Sequence, residues 1–375
     1  MVEWKKLGDI VGRNKGIPIT AGQMNELASA DGNVRVFAAG STIADIDEKK
    51  LPLNCAYKQP SIIVKSRGYI DFEFYEKPFT HKNEMWSYSF ENKQEGKYIY
   101  YFLTTQTGFF RKKAKANSVK LPQLSVTDTD NFLIPIPSLS EQERIVGILD
   151  TFTASIDNIK AQIEQRRKQY EHYRNTLLTF NKDDDSVEWK TLGEISYKIC
   201  SGGTPLRENK EFFNGTIPWL RTQEVDWRDV YDTEIKITQE AIAKSSAKLI
   251  PENCVIIAMY GATAGKSCIN KIPLTTNQAC CNLQINDSTC LYKYVYHYVC
   301  REYNKLKALG EGSQNNISIQ KIKSYNIPIP SLARQQEIVS ILDTFEASIT
   351  NLEAQLEQRQ KQYEYYREEL LTNLS

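Results

Sequence analysis

The sequence predicts a mixed α/β (α+β) protein: two globular bodies separated by two long antiparallel coiled-coil helices, pseudo-two-fold symmetric as a whole. Three observations predict it. The phrase "VEWKKLGDI" from Val2 returns as "VEWKTLGEI" from Val187. The stretch "IPIPSLSEQERIVGILDTFTASIDNIKAQIEQRRKQYEHYRNTLL" after Leu133 returns as "IPIPSLARQQEIVSILDTFEASITNLEAQLEQRQKQYEYYREELL" after Asn326, with roughly two-thirds of its positions identical. Between head and tail lie two bodies of about 130 residues whose strand-like and helix-like segments are mixed. The repeat period, roughly 190 residues, is far too long for a solenoid unit, so a whole module has been duplicated.

The tails are helices. Ile145, Leu149, Phe152, Ile156, Ile159, Ile163, Tyr170, Tyr173 and Leu177 recur at alternating steps of four and three, with Arg166 at the missing step. The second copy runs Ile338, Leu342, Phe345, Ile349, Leu352, Leu356, Arg359, Tyr363, Tyr366 and Leu370. Such spacing is the seam of a coiled coil. Pro137-Ser138 and Pro330-Ser331 mark the helix starts. Each helix should run about 35–40 residues, or roughly 55 Å. The charged "NKDDDS" from Asn181 ends the first. A seam of that length needs a partner, either another chain or its own copy. Two matched seams in one chain, with Arg166 and Arg359 at equivalent steps, favour the intramolecular pair. The divisions expected are 1–137, 138–181, 182–330 and 331–375.

The bodies share little sequence. Body one holds "SIIVKSRGYIDFEFYEKPF", alternating like strands and broken at Arg67-Gly68. Body two holds "CVIIAMYGATAGKSCIN": a strand over Val255–Met259, a turn over Gly261–Gly265 and a return strand over Ser267–Asn270. The two read as equivalent hairpins, and "TQEAIAKSSAKLI" from Thr238 reads as a helix. "GATAGKS" is not a phosphate loop. Three residues, not four, separate its glycines, and a strand rather than a helix follows. "GEG" at Gly310 lacks the third glycine of a dinucleotide turn. No carboxylate or nucleophile constellation suggests catalysis.

Composition bounds the class. The 375 residues are 41% hydrophobic and 25% charged, which suits folded domains. No apolar run approaches the roughly 20 residues of a membrane span, and the start carries Trp4, Lys5 and Lys6 instead of an apolar signal core. A cytoplasmic protein is expected. Eight cysteines without a C-x-x-C pair read as free thiols, and His81, His172 and His297 are not spaced as metal ligands. The net charge of +1 neither announces nor excludes a nucleic-acid partner, because binding depends on where charge sits.

Clusters of polar residues do point to DNA. In body one Lys65, Arg67, Tyr75, Lys77 and His81 gather about the hairpin, and Arg111, Lys112 and Lys113 follow in "RKKAKANS". In body two "IPWLRTQEV" supplies Arg221, Thr222 and Gln223. Tyr260, Thr263 and Lys266 line the hairpin turn. Asn277, Gln278, Gln314 and Asn315 add amides, and Thr204 of "SGGTP" joins them. Arg, Asn and Gln can fork onto base edges, while Lys, Ser and Thr suit phosphates. Each residue alone reads more simply as part of a solvated loop, and Trp219 as core. The inference rests on the clusters.

These features resemble the specificity subunit of type I restriction–modification systems over essentially the whole chain. The carriers are the repeated head phrases, the repeated "IPIPSL" tails and, in body two, "SGGTP", "IPWLRTQEV", "AKLIPENCVIIAMYGATAGKSCIN" and "NQA". Body one keeps the "SRGYIDF" hairpin but lacks Gly-Gly-Thr-Pro. The resemblance implies that residues 1–137 and 182–330 are target-recognition domains, each reading half of a split double-stranded DNA sequence. It implies that the helices 138–181 and 331–375 set the spacer and dock two methyltransferase subunits. The subunit itself would be non-catalytic and bind no cofactor. S-adenosylmethionine would sit in the modification subunits, which flip and methylate adenine. ATP and Mg would belong to restriction subunits. A fused enzyme would need a cofactor loop or acidic cluster, and the sequence offers neither. A coiled-coil adaptor or scaffold without DNA reading is the other alternative.

Overall fold

The structure is a computed structural model that describes residues 2–118, 120–181, 183–311 and 316–372. The chain divides into two units, Met1–Ala161 with Ala354–Ser375, and Gln162–Glu353. Each therefore holds one body, part of the long helix that follows it and part of the other long helix.

In the first unit the head strand Glu3–Lys6 pairs antiparallel with Leu133–Ile136, Trp4 facing Pro135. In the second, Glu188–Thr191 pairs with Asn326–Ile329, Trp189 facing Pro328. The repeated phrase thus closes each body against the strand that leads into the long helix. Prolines are tolerated there because a two-stranded ribbon has only edges.

Inside this clasp the bodies share a common four-strand order in the main sheet despite their divergent sequences, body two adding a fifth strand. The main sheet of body one runs Arg13–Lys15, Trp86–Ser89, Ser61–Lys65, Asp71–Tyr75. That of body two runs Ser196–Ser201, Cys280–Ile285, Val255–Ala258, Ser267–Asn270, Asp229–Val230. The expected hairpins are the paired strands Ser61–Lys65/Asp71–Tyr75 and Val255–Ala258/Ser267–Asn270, in matching places. A smaller sheet carries a parallel pair in each body, Val34–Phe37 with Phe79–His81 and Ile217–Leu220 with Leu274–Thr276. The helices Lys93–Thr105 and Tyr292–Arg301 bury their apolar faces in the respective cores. One expectation fails: the helix from Thr238 spans only Gln239–Ala243. Leu249–Ile250 instead forms a strand against Leu274–Thr275, so edge pairing overrides helix propensity there.

The long helices are Leu139–Leu177 and Leu332–Thr372, 39 and 41 residues. Ser138 and Ser331 cap them, their hydroxyls accepting from the N–H groups of Glu141 and Arg334. Their apolar positions enter the unit cores: Ile145, Leu149 and Leu371 with Leu7, Tyr98 and Ile134, and Ile338, Leu342 and Leu178 with Leu192, Tyr294 and Ile327. In the unit of body one, low positions of the first helix meet high positions of the second, and in the unit of body two high positions of the first meet low positions of the second, as antiparallel partners must. Arg167 pairs with Glu353 at 2.6 Å in one, and Arg359 lies 5.6 Å from the Phe152 ring in the other. The arginines at the missing seam step therefore have a role. Arg166 covers Phe345 at 5.7 Å, as Arg359 covers Phe152.

The frame repeats its hydrogen bonds as well. Tyr98 donates to the Pro135 carbonyl at 2.7 Å and Tyr294 to that of Pro328 at 2.8 Å. Gln142 donates to Pro137 at 3.0 Å and Gln335 to Pro330 at 2.9 Å. Lys97 pairs with Asp150 at 2.6 Å, and Lys293 with Asp343. Among the described residues no helix is long and apolar enough to cross a membrane.

Candidate nucleic-acid interface

In body two the ends of several strands converge. The Asn277 N–H bonds the Leu220 carbonyl, Met259 N–H bonds Ala279, and the Ile317 N–H bonds Met259. The turn after Val255–Ala258 is a short 3-10 segment, Gly261–Thr263, with Gly261 and Gly265 at φ +77° and +86°. Left-handed backbone of this kind favours glycine. The Thr263 hydroxyl donates to the Thr222 carbonyl at 2.9 Å, tying the loop after Leu220 to this turn. Gly202 and Gly203 permit a close passage beside it: a Cβ on Gly202 would lie 1.9 Å from the Thr276 carbonyl oxygen. Thr204 then hydrogen-bonds Gln278. The structure so brings Thr204, Arg221, Thr222, Gln223, Tyr260, Thr263, Lys266, Asn277 and Gln278 to one edge. Gln314 and Asn315 lie outside the described residues.

Electrostatics qualify the set. Arg221 is half-buried, 3.3 Å from Glu224 and paired with Glu234, and with its amide turned the Gln223 oxygen accepts from the same guanidinium. The Lys266 ammonium lies 2.6 Å from Asp226. Asn277 caps its own turn by accepting from the Ala279 N–H at 3.2 Å. Gln278, Gln223 and Tyr260 remain exposed.

Body one places fewer of its expected residues at the equivalent edge. Arg67 is exposed at the hairpin turn, beside Gly68 at φ +78°. Arg111 comes to the same turn: its Nε donates to the Ile70 carbonyl at 3.0 Å and its guanidinium covers the Tyr69 ring at 4.5 Å. Lys112 and Lys77 are exposed and make no ion pair among the described residues. Lys65 pairs with Glu73 at 2.7 Å and Lys113 with Asp128 at 3.2 Å. Tyr75 packs edge-on against Phe37 and Phe79, and burial raises its hydroxyl.

His81 is a correction. It sits fully buried in the strand Phe79–His81, its Nε2 3.1 Å from the Ser87 hydroxyl and its Nδ1 3.3 Å from the Lys82 carbonyl. Burial pushes its imidazole down to about 4, so it is a neutral core residue and cannot meet DNA. Trp219 is core as expected, its indole N–H donating to Gly203 at 3.0 Å.

Sequence reading missed two exposed aromatic residues at these edges, Tyr69 and Trp227. Tyr69 had a signal, since it follows the turn glycine. It also missed a polar group built from three elements. Fully buried His297 faces Asp343 at 3.0 Å from Nε2 and Glu346 at 3.7 Å from Nδ1, and Tyr170 donates to Glu346 at 2.7 Å. These could hold a metal ion by ligand type and proximity. However, His297 turns its two nitrogens to different carboxylates, and Lys293 already pairs with Asp343. Burial raises the Glu346 carboxyl. Burial also opposes ionisation of Asp343, but the hydrogen bonds from His297 and Lys293 outweigh it and hold that carboxyl below the usual range.

Comparison with known proteins adds the following. The model of the type I restriction modification DNA specificity domain matches residues 1–166 and 185–361. The EcoR124I/EcoR124II specificity subunit of Escherichia coli is 37% identical over 359 residues, covering 90% of this chain and 87% of that one. The crystal structure of a type I restriction–modification S subunit from M. genitalium superposes with a TM-score of 0.68 at 15% identity, over 100% of this chain and 97% of the other. A structure titled for complex assembly and conformational transition of the type I R-M system gives 0.56 at 16% identity, over 99% and 96%. At such identities the two structures speak for the fold alone.

Proposed function

This chain belongs to the type I restriction–modification DNA specificity family, and from that premise we propose that its two target-recognition domains read the two unlike halves of one split DNA sequence. A single observation carries the reading. The two hairpins take the same place in the main sheets, but different side chains gather at their turns: Arg67, Tyr69 and Arg111 at one, Tyr260, Thr263 and Lys266 at the other. A common frame with different lettering suits two different half-sites.

In this reading residues 1–137 and 182–330 recognise DNA, and 138–181 and 331–375 set the spacer and dock two methyltransferase subunits. Members of this family act as specificity subunits without catalysis of their own, and this chain would bind no cofactor. S-adenosylmethionine then belongs to the modification subunits, which methylate adenine at N6. ATP and Mg belong to restriction subunits where present, and the complex works on cytoplasmic DNA. The candidate contacts are Lys65, Arg67, Lys77, Arg111, Lys112 and Lys113 on body one. On body two they are the nine residues gathered at its edge, with Gln314 and Asn315.

The test is methylation-sensitive sequencing of DNA from cells with and without this gene. A methylated motif of two unlike halves around an unread spacer should vanish with the gene. Persistence of every motif, or loss of only a continuous one, would overturn the reading.

A further inference from the structure

Three described non-glycine residues have left-handed backbone: Asn54, Asn253 and Trp227, at φ 58°, 64° and 46°. Asparagine tolerates that region, because its short polar side chain can satisfy nearby backbone groups. Tryptophan does not, and a bulky residue persists there only when its surroundings over-determine it. The surroundings do. The Trp227 N–H bonds the Ser267 carbonyl at 2.9 Å, the Tyr303 ring meets the indole edge-on at 5.2 Å, and the Lys266 ammonium lies 4.3 Å from its centroid. Yet the residue is 42% exposed. Asparagine or glycine would suit the backbone better, so folding does not explain the tryptophan.

Its position does. Trp227 ends the loop that starts at Thr222, and that loop is tied to the hairpin turn through Thr222 and Thr263. Lys266 pairs with Asp226 at 2.6 Å, so its charge is partly engaged within the protein. What the corner offers outward is the indole, with exposed Arg228 next in sequence. We propose that Trp227 is a specificity-determining aromatic contact of body two with duplex DNA. This rests on the two-half reading above. An amphipathic ring held rigidly beside a fixed cation can press on base edges, such as a thymine methyl, or on sugar without adding charge.

The test uses Trp227→Gly and Trp227→Asn in the chain assembled with its methyltransferase subunits, on duplexes carrying the motif found by sequencing. Both substitutions suit the left-handed backbone but lose the packing on Tyr303 and Lys266, so the thermal midpoint should fall by only a few degrees. Binding should weaken roughly tenfold, the size of one lost base contact, with discrimination relaxed only in the half read by body two. The salt dependence should keep its slope, since no charge is removed. Trp227→Phe should retain most of the binding. Unchanged affinity would overturn the proposal. A flattened salt slope would mean that Trp227 acts only by holding Lys266, and would overturn it too. So would failure to assemble, which would make Trp227 a subunit contact, or loss of the folded state in both variants, which would make it an element of the fold. Discrimination in the half read by body one is the control: its absence in the unsubstituted protein would sink the two-half reading instead.

Discussion

Phe152 stacks on Tyr366 with ring centroids 5.3 Å apart and planes 27° apart. In the repeat Phe152 corresponds to Phe345 and Tyr366 to Tyr173, and those rings stack at 5.2 Å and 27°. One contact becomes the other with its partners exchanged. Two copies of one segment running in opposite directions must produce that relation. Arg359 and Arg166, at the seam positions without an apolar residue, flank the same two phenylalanines.

The stacking pairs should couple equally. Double-mutant cycles on Phe152/Tyr366 and on Phe345/Tyr173, each to alanine, should return about 0.5–1.5 kcal/mol per pair in urea unfolding. A coupling near zero in either pair would show that the seam does not hold there.

If the two candidate edges meet DNA, their charges should separate into readers and anchors. Arg67→Ala should relax discrimination in one half-site and Arg221→Ala in the other, each costing about 1–3 kcal/mol. Lys112→Ala should weaken all sequences alike and reduce the salt slope by about one. Binding titrations over a salt series, on matched and mismatched duplexes, distinguish the two. Uniform loss from Arg221→Ala would place that residue on the backbone, or show that Glu224 and Glu234 hold it for the fold.

The polar group around His297 predicts a pH response. The raised Glu346 carboxyl favours folding below its ordinary value of 4.5, and that contribution is lost as pH rises through the folded value. Asp343 behaves oppositely: its stabilisation is present above 3.8 and is lost as pH falls. Lys293, Tyr170, Tyr296, Cys300, Asp229 and Arg174 complete the charged and titratable surroundings. Glu346→Gln should therefore stabilise the protein at neutral pH and make no difference in acid. Its side chain is 37% exposed, so water screens the charge and the gain is small, about 0.5 kcal/mol or roughly 1–2 °C in Tm. Thermal melts from acidic to alkaline buffer check this. The equivalent group in the other unit, Tyr101 with Asp150 and Thr153, lacks both the imidazole and the second carboxylate.

If the helices set the spacer, lengthening them should move it. Seven residues added after both Ile163 and Leu356 extend each helix by about 10 Å, or roughly 3 bp of duplex. Methylome sequencing should then find the same half-sites around a longer spacer, while insertion in one helix alone should abolish methylation. An unchanged spacer at full activity would show that the helices do not measure it.

Much of this was legible because periodicity reports strongly on long elements. The heptad seam marked both helices, and the alternation around Gly68 and Gly261 marked both hairpins. The clasp strands were not legible. "LIPIPS" carries prolines that argue against a strand, and only its pairing with the head phrase makes it one. The strand order common to the bodies was hidden too, since a sheet fixes which face is buried but not which apolar residue fills it. At the candidate edges, residue type marked the neighbourhood but not exposure. His81 reads as one of the polar residues about the hairpin and is core, while Trp227, which carries no mark in the sequence, is exposed. Burial depends on neighbours distant in sequence, and the left-handed turn that exposes Trp227 has no glycine to announce it.

The clasp has a consequence in the entropy of chain closure. The body-one chain leaves the frame at Lys6 and rejoins it at Leu133, and those two residues face each other across adjacent strands. Thr191 and Asn326 do the same for body two. Each body is thus a tethered loop with a fixed mouth. Closing such a loop costs more as it lengthens, but only logarithmically, by about 0.6 kcal/mol per doubling. Bodies of quite different length can therefore be spliced into the same mouth at nearly equal cost. The long helix beyond it would register the length of an insert only slightly, and its lettering only at the residues that pack on the helix, as Tyr98 and Lys97 do.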